Sequence, residues 1–403
     1  MVAGFGRVLG CLLVVGVLVG CGGGGVGDSG RGDVQRMLDR RAGAVLERDR
    51  GVFLGTESAT ADPRRQLATG AAEFANLRNV PLASWSYRIT SFHRTGERAT
   101  ADADLRYQVR GYDRAPVTSG RVLRLVHSGR HWYVASDEPA KKSGQQLWEQ
   151  GAVRAVRGRH SLVLGVGQSE SDLERYARLA DDAVPAVSRA WGSGWAGRVV
   201  VYVPRSVKGM AGLLGGAAGG YRGIAAVTTG EAGGSTSAPA DRVIVNPDAY
   251  GVLGDFGRQV VLTHETTHVA TRAHTTAATP LWLSEGYADF VGYRESDRTA
   301  AQVAPELRDE VAAGRVPDAL PTDADFGFGQ EAGRLARAYE GGWLACRMIA
   351  ERWGEKRLRA FYRAVGDHGE RAGAVEDALR TVLDTDAAAF TRDWRAYLRD
   401  RLG

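Results

Sequence analysis

The sequence predicts an α+β chain of two folded units, a small one over residues 34–138 and a larger one over 159–403. Three observations carry this. Apolar residues alternate through Trp85, Tyr87 and Ile89, and again through Ala101, Ala103, Leu105, Tyr107 and Val109, which is the two-residue period of half-buried strands. A continuous β-branched run at 198–204 reads as a strand buried on both faces. After Glu331 only helical spacing remains, through Leu358, Phe361, Phe390, Trp394 and Leu398. With 403 residues and 44% hydrophobic content there is material for two cores.

Residues 1–20 read as an export signal. Arg7 is followed by thirteen apolar residues, Val8 to Gly20, a stretch short for a bilayer span. Leu18-Val19-Gly20-Cys21 resembles the bacterial lipobox, which implies lipidation of Cys21, a membrane partner and placement on the outer face of the cell membrane. Residues 21–33 read as a Gly-rich tether. Cys11 would leave with the signal and Cys21 would take the lipid. Cys346 alone would remain, so the mature form has no intrachain disulfide.

The small unit reads as helices followed by a strand meander. Val34, Met37, Leu38, Val45 and Leu46 mark an amphipathic helix, and a second covers about 64–77. Two strands follow, then a hairpin turning at Ser128-Gly129-Arg130. This order is similar to the SnoaL-like cone fold, and the resemblance implies a ligand-holding or spacer role. Residues 139–158 read as a polar linker with some helix. In the larger unit a helix is expected from Ser169 to Trp191, with Leu173, Tyr176, Ala180, Val184 and Val187 on one face. Gly192 to Gly197 satisfies G-x-G-x-x-G but precedes a strand, the reverse of a dinucleotide loop, and reads as a turn. Residues 241–247 read as a strand able to pair with an extended substrate backbone. The net charge of +5 is spread without a basic block, so no nucleic-acid partner is expected.

The chemistry concentrates at His264-Glu265-Thr266-Thr267-His268. On a helix, residues i and i+4 share a face, so His264 and His268 can present two imidazoles to one Zn²⁺. Glu265 then lies beside the metal, where a general base takes a proton from the attacking water. Glu285, seventeen residues after His268, is the expected third ligand, and Asp289 falls on the same helix face as Glu285. A ligating His normally donates its other N–H to a carboxylate, and Asp289 suits His264. His274 reads as a loop residue outside the ligand set.

The H-E-x-x-H run together with Ser284-Glu285-Gly286-Tyr287-Ala288-Asp289 resembles the gluzincins, the thermolysin-like and aminopeptidase-like zinc metallopeptidases. The resemblance covers roughly residues 160–400. It implies a zincin-like domain with a helical C-terminal half, one zinc per chain, and hydrolysis of a peptide or protein substrate. Ala338-Tyr339-Glu340-Gly341-Gly342-Trp343 resembles the segment in which the aminopeptidase-like members place a Tyr that stabilises the oxyanion. Tyr339 also lies on an apolar stripe with Leu335, Trp343, Cys346 and Ile349, so the residue pattern suits a core aromatic equally. The G-x-M-E-N motif of the aminopeptidases is missing, which favours an endopeptidase or an unusual substrate. A non-catalytic binding or scaffolding lipoprotein is the alternative, and the intact Glu265 argues against it. The sequence sets no oligomeric state.

Overall fold

A computed structural model describes residues 26–58, 63–141, 143–229, 241–327 and 332–403. The lipobox Cys21 and the signal segment lie outside the described residues. No helix among the described residues is long and apolar enough to cross a membrane. The fold is α+β, as expected.

The N-terminal unit opens with helices α1 (Val26–Glu47), α2 (Arg50–Leu54) and α3 (Pro63–Asn76). Strands β1 (Leu82–Thr95), β2 (Arg98–Val109), β3 (Val117–Ser128) and β4 (His131–Pro139) follow as an antiparallel sheet in chain order. Trp85, Tyr87 and Ile89 of β1 point inward with Ala101, Ala103 and Leu105 of β2, and they meet Val34, Met37, Leu38 and Val45 of α1. Leu46, expected on that face, is exposed.

Two boundaries differ from expectation. Residues 26–33, read as tether, form the first turns of α1. Arg31 Nη2 donates to the Ile89 carbonyl at 3.0 Å, and Gln35 exchanges bonds with the Tyr87 carbonyl and the Ile89 amide. Docking against β1 thus overrides the low helix propensity of Gly27, Gly30 and Gly32. Residues 139–158, read as a linker, are built into both units. A single 3₁₀ turn, Leu147–Glu149, closes through a reciprocal cap with Gln146. It buries Trp148 against Trp85 and Tyr107, with ring centroids 5.3 and 5.0 Å apart. Glu149 also pairs at 2.5 Å with the buried Arg121, which holds Asp137 at 2.6 Å.

The larger unit has a five-stranded sheet in the order β5-β6-β7-β9-β8. Its strands are β5 (Val153–Arg157), β6 (Ser161–Val166), β7 (Val199–Val203), β8 (Ala226–Thr228) and β9 (Val243–Val245). β6, β7 and β9 run parallel, while β5 and β8 are antiparallel edges. The 241–247 strand expected to meet substrate is therefore interior, paired on both sides, and β8 holds the edge. Helix α4 (Glu170–Trp191) crosses from β6 to β7, capped by Ser169. Gly192 and Gly197 in the turn after it take positive φ, 101° and 64°.

Parallel strands need cover on both faces. Val163, Val199, Val201, Val203, Val243 and Val245 face the helix layer. Leu162, Leu164, Val166, Val200, Tyr202 and Ile244 point the other way, into the core of the N-terminal unit. That unit is the back cover of the sheet. A bidentate ion pair fastens the junction: Arg242 donates to both Asp113 oxygens at 2.7 Å, with its Nε on Tyr202 Oη at 3.1 Å.

The chain then passes through α5 (Val207–Leu214), α6 (Pro247–Gly251), α7 (Asp255–Thr271), α8 (Leu281–Tyr293), α9 (Ala300–Val303) and α10 (Pro305–Ala312). It ends in α11 (Ala332–Trp353), α12 (Glu355–Asp367), α13 (Ala374–Leu383) and α14 (Ala387–Leu402), the all-helical half expected.

Candidate metal centre and active site

Helix α7 is buried along most of its length although it carries four threonines between 263 and 271. Three of them satisfy their hydroxyls within the helix, Thr271 through the His268 carbonyl at 3.4 Å. Thr263 donates to the Gln259 carbonyl and Thr267 to the Thr263 carbonyl, both at 2.8 Å. Polar residues can thus pass through a core and bring His264 and His268 to the same side.

Helix α8 crosses α7 and delivers Glu285. His264 Nε2 lies 2.9 Å from His268 Nε2, and Glu285 Oε2 lies 3.3 Å from the first and 3.6 Å from the second. Three donor atoms on one tetrahedral zinc, at its usual bond lengths, would sit about 3.3–3.4 Å apart. The three separations bracket that value, so the donor set fits the ion in kind and in spacing. All three side chains are largely buried. No other group of three such side chains among the described residues converges in this way.

Asp289, one turn after Glu285, accepts from His264 Nδ1 at 2.7 Å. This holds the ring with Nε2 toward the other donors. Burial alone would push the His264 imidazole down, but Asp289 outweighs it and holds it well above the usual range. Burial alone would push the Glu285 carboxyl up, but the two imidazoles outweigh it and hold it well below the usual carboxylate range.

Glu265, the residue after His264, is buried on the same helix, and its Oε2 accepts from Thr228 Oγ1 at 2.7 Å. Thr228 went unnoticed in the sequence, where a threonine ending a three-residue strand carries no signal. Tyr339 on α11 is half-buried, with its ring centroid 6.5 Å from that of His264 and 5.2 Å from that of Phe326. The structure brings it to the site while it also packs on the core. His274 lies outside the trio, its Nδ1 3.3 Å from Asp367.

No family model matches this chain, and no curated protein sequence matches it. Among the solved structures that it resembles are a yeast LTA4 hydrolase and M1 zinc metallopeptidases. One is the yeast LTA4 hydrolase, at 11% identity and a TM-score of 0.39, covering 69% of this chain and 44% of the other. Another is a two-domain M1 zinc metallopeptidase bound to L-arginine, at 15% identity and a TM-score of 0.36, covering 80% and 63%. The M1 zinc metallopeptidase from Deinococcus radiodurans matches at 15% and 0.33, covering 80% and 62%. The chain thus spans less than two thirds of the length of each of these proteins.

Proposed function

We propose that this chain is a zinc-dependent peptidase held at the outer face of a bacterial membrane by a lipid on Cys21. The observation that carries the reading is the convergence of His264, His268 and Glu285, with Glu265 next to His264 in the chain and buried on the same helix. Zinc, when held by those three residues, would supply a Lewis acid that polarises the attacking water and the scissile carbonyl. Glu265 takes the water's proton and passes it to the departing amine. Asp289 fixes the His264 ring. The Tyr339 hydroxyl donates to the oxyanion that develops on the carbonyl oxygen.

The N-terminal unit, similar in element order to the SnoaL-like cone fold, serves as the back cover of the catalytic sheet. With α1 beginning at Val26, four residues separate Cys21 from the fold, and the five steps reach at most about 18 Å. The anchor therefore keeps the enzyme close to the membrane surface.

The test is metal content and hydrolysis of a quenched-fluorescence peptide library, for the full chain, Glu265→Gln and His264→Ala. About one zinc per chain is expected in the parent and in Glu265→Gln, little in His264→Ala, and turnover in the parent only. A parent that takes up no supplied zinc, or a Glu265→Gln variant of full activity, overturns the reading. A Cys21→Ser variant that stays in the membrane fraction overturns the anchor.

A further inference from the structure

We infer that Thr228 is the positioning residue of the general base: its hydroxyl holds one oxygen of Glu265 and leaves the other to handle the proton. The inference rests on the peptidase reading of Glu265 and adds a residue to it. The motif that identifies Glu265 contains nothing that orients its carboxylate.

The first support is the pleat. Side chains two apart on a strand share a face. On β8, Ala226 and Thr228 face the helix layer, while Val227 packs against the N-terminal unit. On β9 the residues with the same facing are Val243 and Val245. Thr228 pairs directly with Val243. Among these same-facing residues of β8 and β9 it is the polar one, fully buried, where a valine of the same shape would pack equally well. A buried hydroxyl is costly unless hydrogen-bonded, and its partners here are both on Glu265.

The second support is the bonding. Thr228 Oγ1 lies 2.7 Å from Glu265 Oε2 and 3.0 Å from the Glu265 backbone oxygen. A hydroxyl has one proton. The bond to the carboxylate oxygen is the shorter of the two, so Oε2 receives it. The chain that presents this hydroxyl is 37 residues from Glu265 and belongs to the sheet, so the carboxylate is fixed by a different layer from the one that carries it. Oε1 is left as the oxygen that accepts the water's proton. When it does so, Oε2 becomes a carbonyl oxygen and still accepts from Thr228, and nothing in the site must reorient before the proton is given to the leaving amine. Preorganisation of this kind acts on the chemical step and leaves binding unaltered.

The experiment compares Thr228→Val and Thr228→Ser with the parent, full-length and zinc-loaded, on one peptide cleaved from the library. Thr228→Val should lower kcat roughly 10- to 100-fold, part of the contribution of a general base, with KM within about 3-fold. Thr228→Ser should restore kcat to within about 3-fold of the parent. Zinc content should stay at the parent level in both. Zinc-free melting supplies a readout without turnover: Thr228→Val should lower the midpoint in the parent background but not in Glu265→Ala, where no carboxylate is left unpaired. Unchanged kcat in Thr228→Val, or equal losses in the valine and serine variants, overturns the inference. So does a valine effect on melting that persists in full without Glu265. If Thr228→Val does not fold, Thr228→Cys replaces it: a weaker donor should give an intermediate kcat, and a parent-like kcat overturns the inference. Should Glu265→Gln keep full activity, the general-base reading itself falls. Should Glu265→Gln be inactive while Thr228→Val is unaffected, only the role of Thr228 falls.

Discussion

Gly286 of α8 and Gly342 of α11 meet backbone to backbone: a Cβ on Gly286 would lie 2.3 Å from the Gly342 carbonyl group. The reverse is as tight, since a Cβ on Gly342 would lie 2.5 Å from the Trp282 carbonyl oxygen. This close crossing sets how far Glu285, one residue before Gly286, stands from Tyr339, three residues before Gly342. The contact is with main chain, which cannot swing aside. Gly286→Ala should therefore cost about 1–3 kcal/mol or more through overpacking. It should also weaken zinc binding, because α8 must shift to relieve the clash. Gly257→Ala on α7, where a Cβ meets only side-chain atoms at 3.5 Å and beyond, is the control and should be neutral or stabilising. Thermal melts and zinc titration check both. A Gly286→Ala protein that melts and binds zinc like the parent would show that the helices have slack.

The ion pair between Arg242 and Asp113 joins the two units with both side chains almost fully buried. Removing one partner strands the other without water. Asp113→Ala is expected to destabilise by about 3–5 kcal/mol. Adding Arg242→Met to it should recover much of that loss, since the stranded charge goes too. Denaturant unfolding of the four proteins of this cycle measures it. For the same reason residues 159–403 expressed alone should aggregate, because Leu162, Leu164, Val200, Tyr202 and Ile244 lose their cover. A soluble, monomeric and zinc-binding 159–403 fragment would refute the back-cover role of the N-terminal unit.

What was legible in the sequence was local. His264 and His268 share a face by helical arithmetic, Glu285 and Asp289 share another, and two such faces need only pack to converge. The strands of the N-terminal unit were legible because one face is wet, so Trp85, Tyr87 and Ile89 alternate cleanly. The glycine run before Val34 misled, because composition suggests a coil while Arg31 and Gln35 find partners on β1 that no local rule anticipates. The same holds for Trp148, an isolated aromatic in a polar stretch that fills the space between Trp85 and Tyr107. The order of β8 and β9 could not be read either, since three-residue strands carry no periodicity. With that order went the edge of the sheet and the partner of Glu265.

Glu340 predicts a pH dependence of stability. Its buried carboxyl caps α10, accepting from the Glu306 and Leu307 amides at 3.2 and 2.7 Å. Burial and the hydrogen-bonded Glu306 carboxyl push it up to about 8 from an ordinary 4.5. A raised carboxyl is held protonated in the folded protein while the unfolded chain ionises, so its contribution falls as pH rises from about 4.5 to about 8. Glu340→Gln keeps an acceptor for Leu307 and has no proton to lose. Its melting temperature should gain on the parent steadily across that window and level off above it. A difference that stays constant from pH 5 to pH 8 would mean that Glu340 titrates normally.

Asp289 separates ring orientation from ligation. It touches only the Nδ1 side of His264, opposite the converging donors, so its loss leaves the three donor atoms intact but lets one ring turn. Asp289→Ala should weaken zinc binding roughly 10- to 100-fold, the usual range for a carboxylate behind a ligating His, and His264→Ala far more. Asp289→Asn keeps an oxygen acceptor without the charge and should fall between the parent and the alanine variant. Asp367→Ala, which removes the carboxylate beside His274, should leave the affinity unchanged because His274 is outside the donor set. Competition against a chromogenic chelator measures all four. Parent-like affinity in Asp289→Ala would mean that packing alone holds the His264 ring, and a loss in Asp367→Ala would bring His274 back as a ligand.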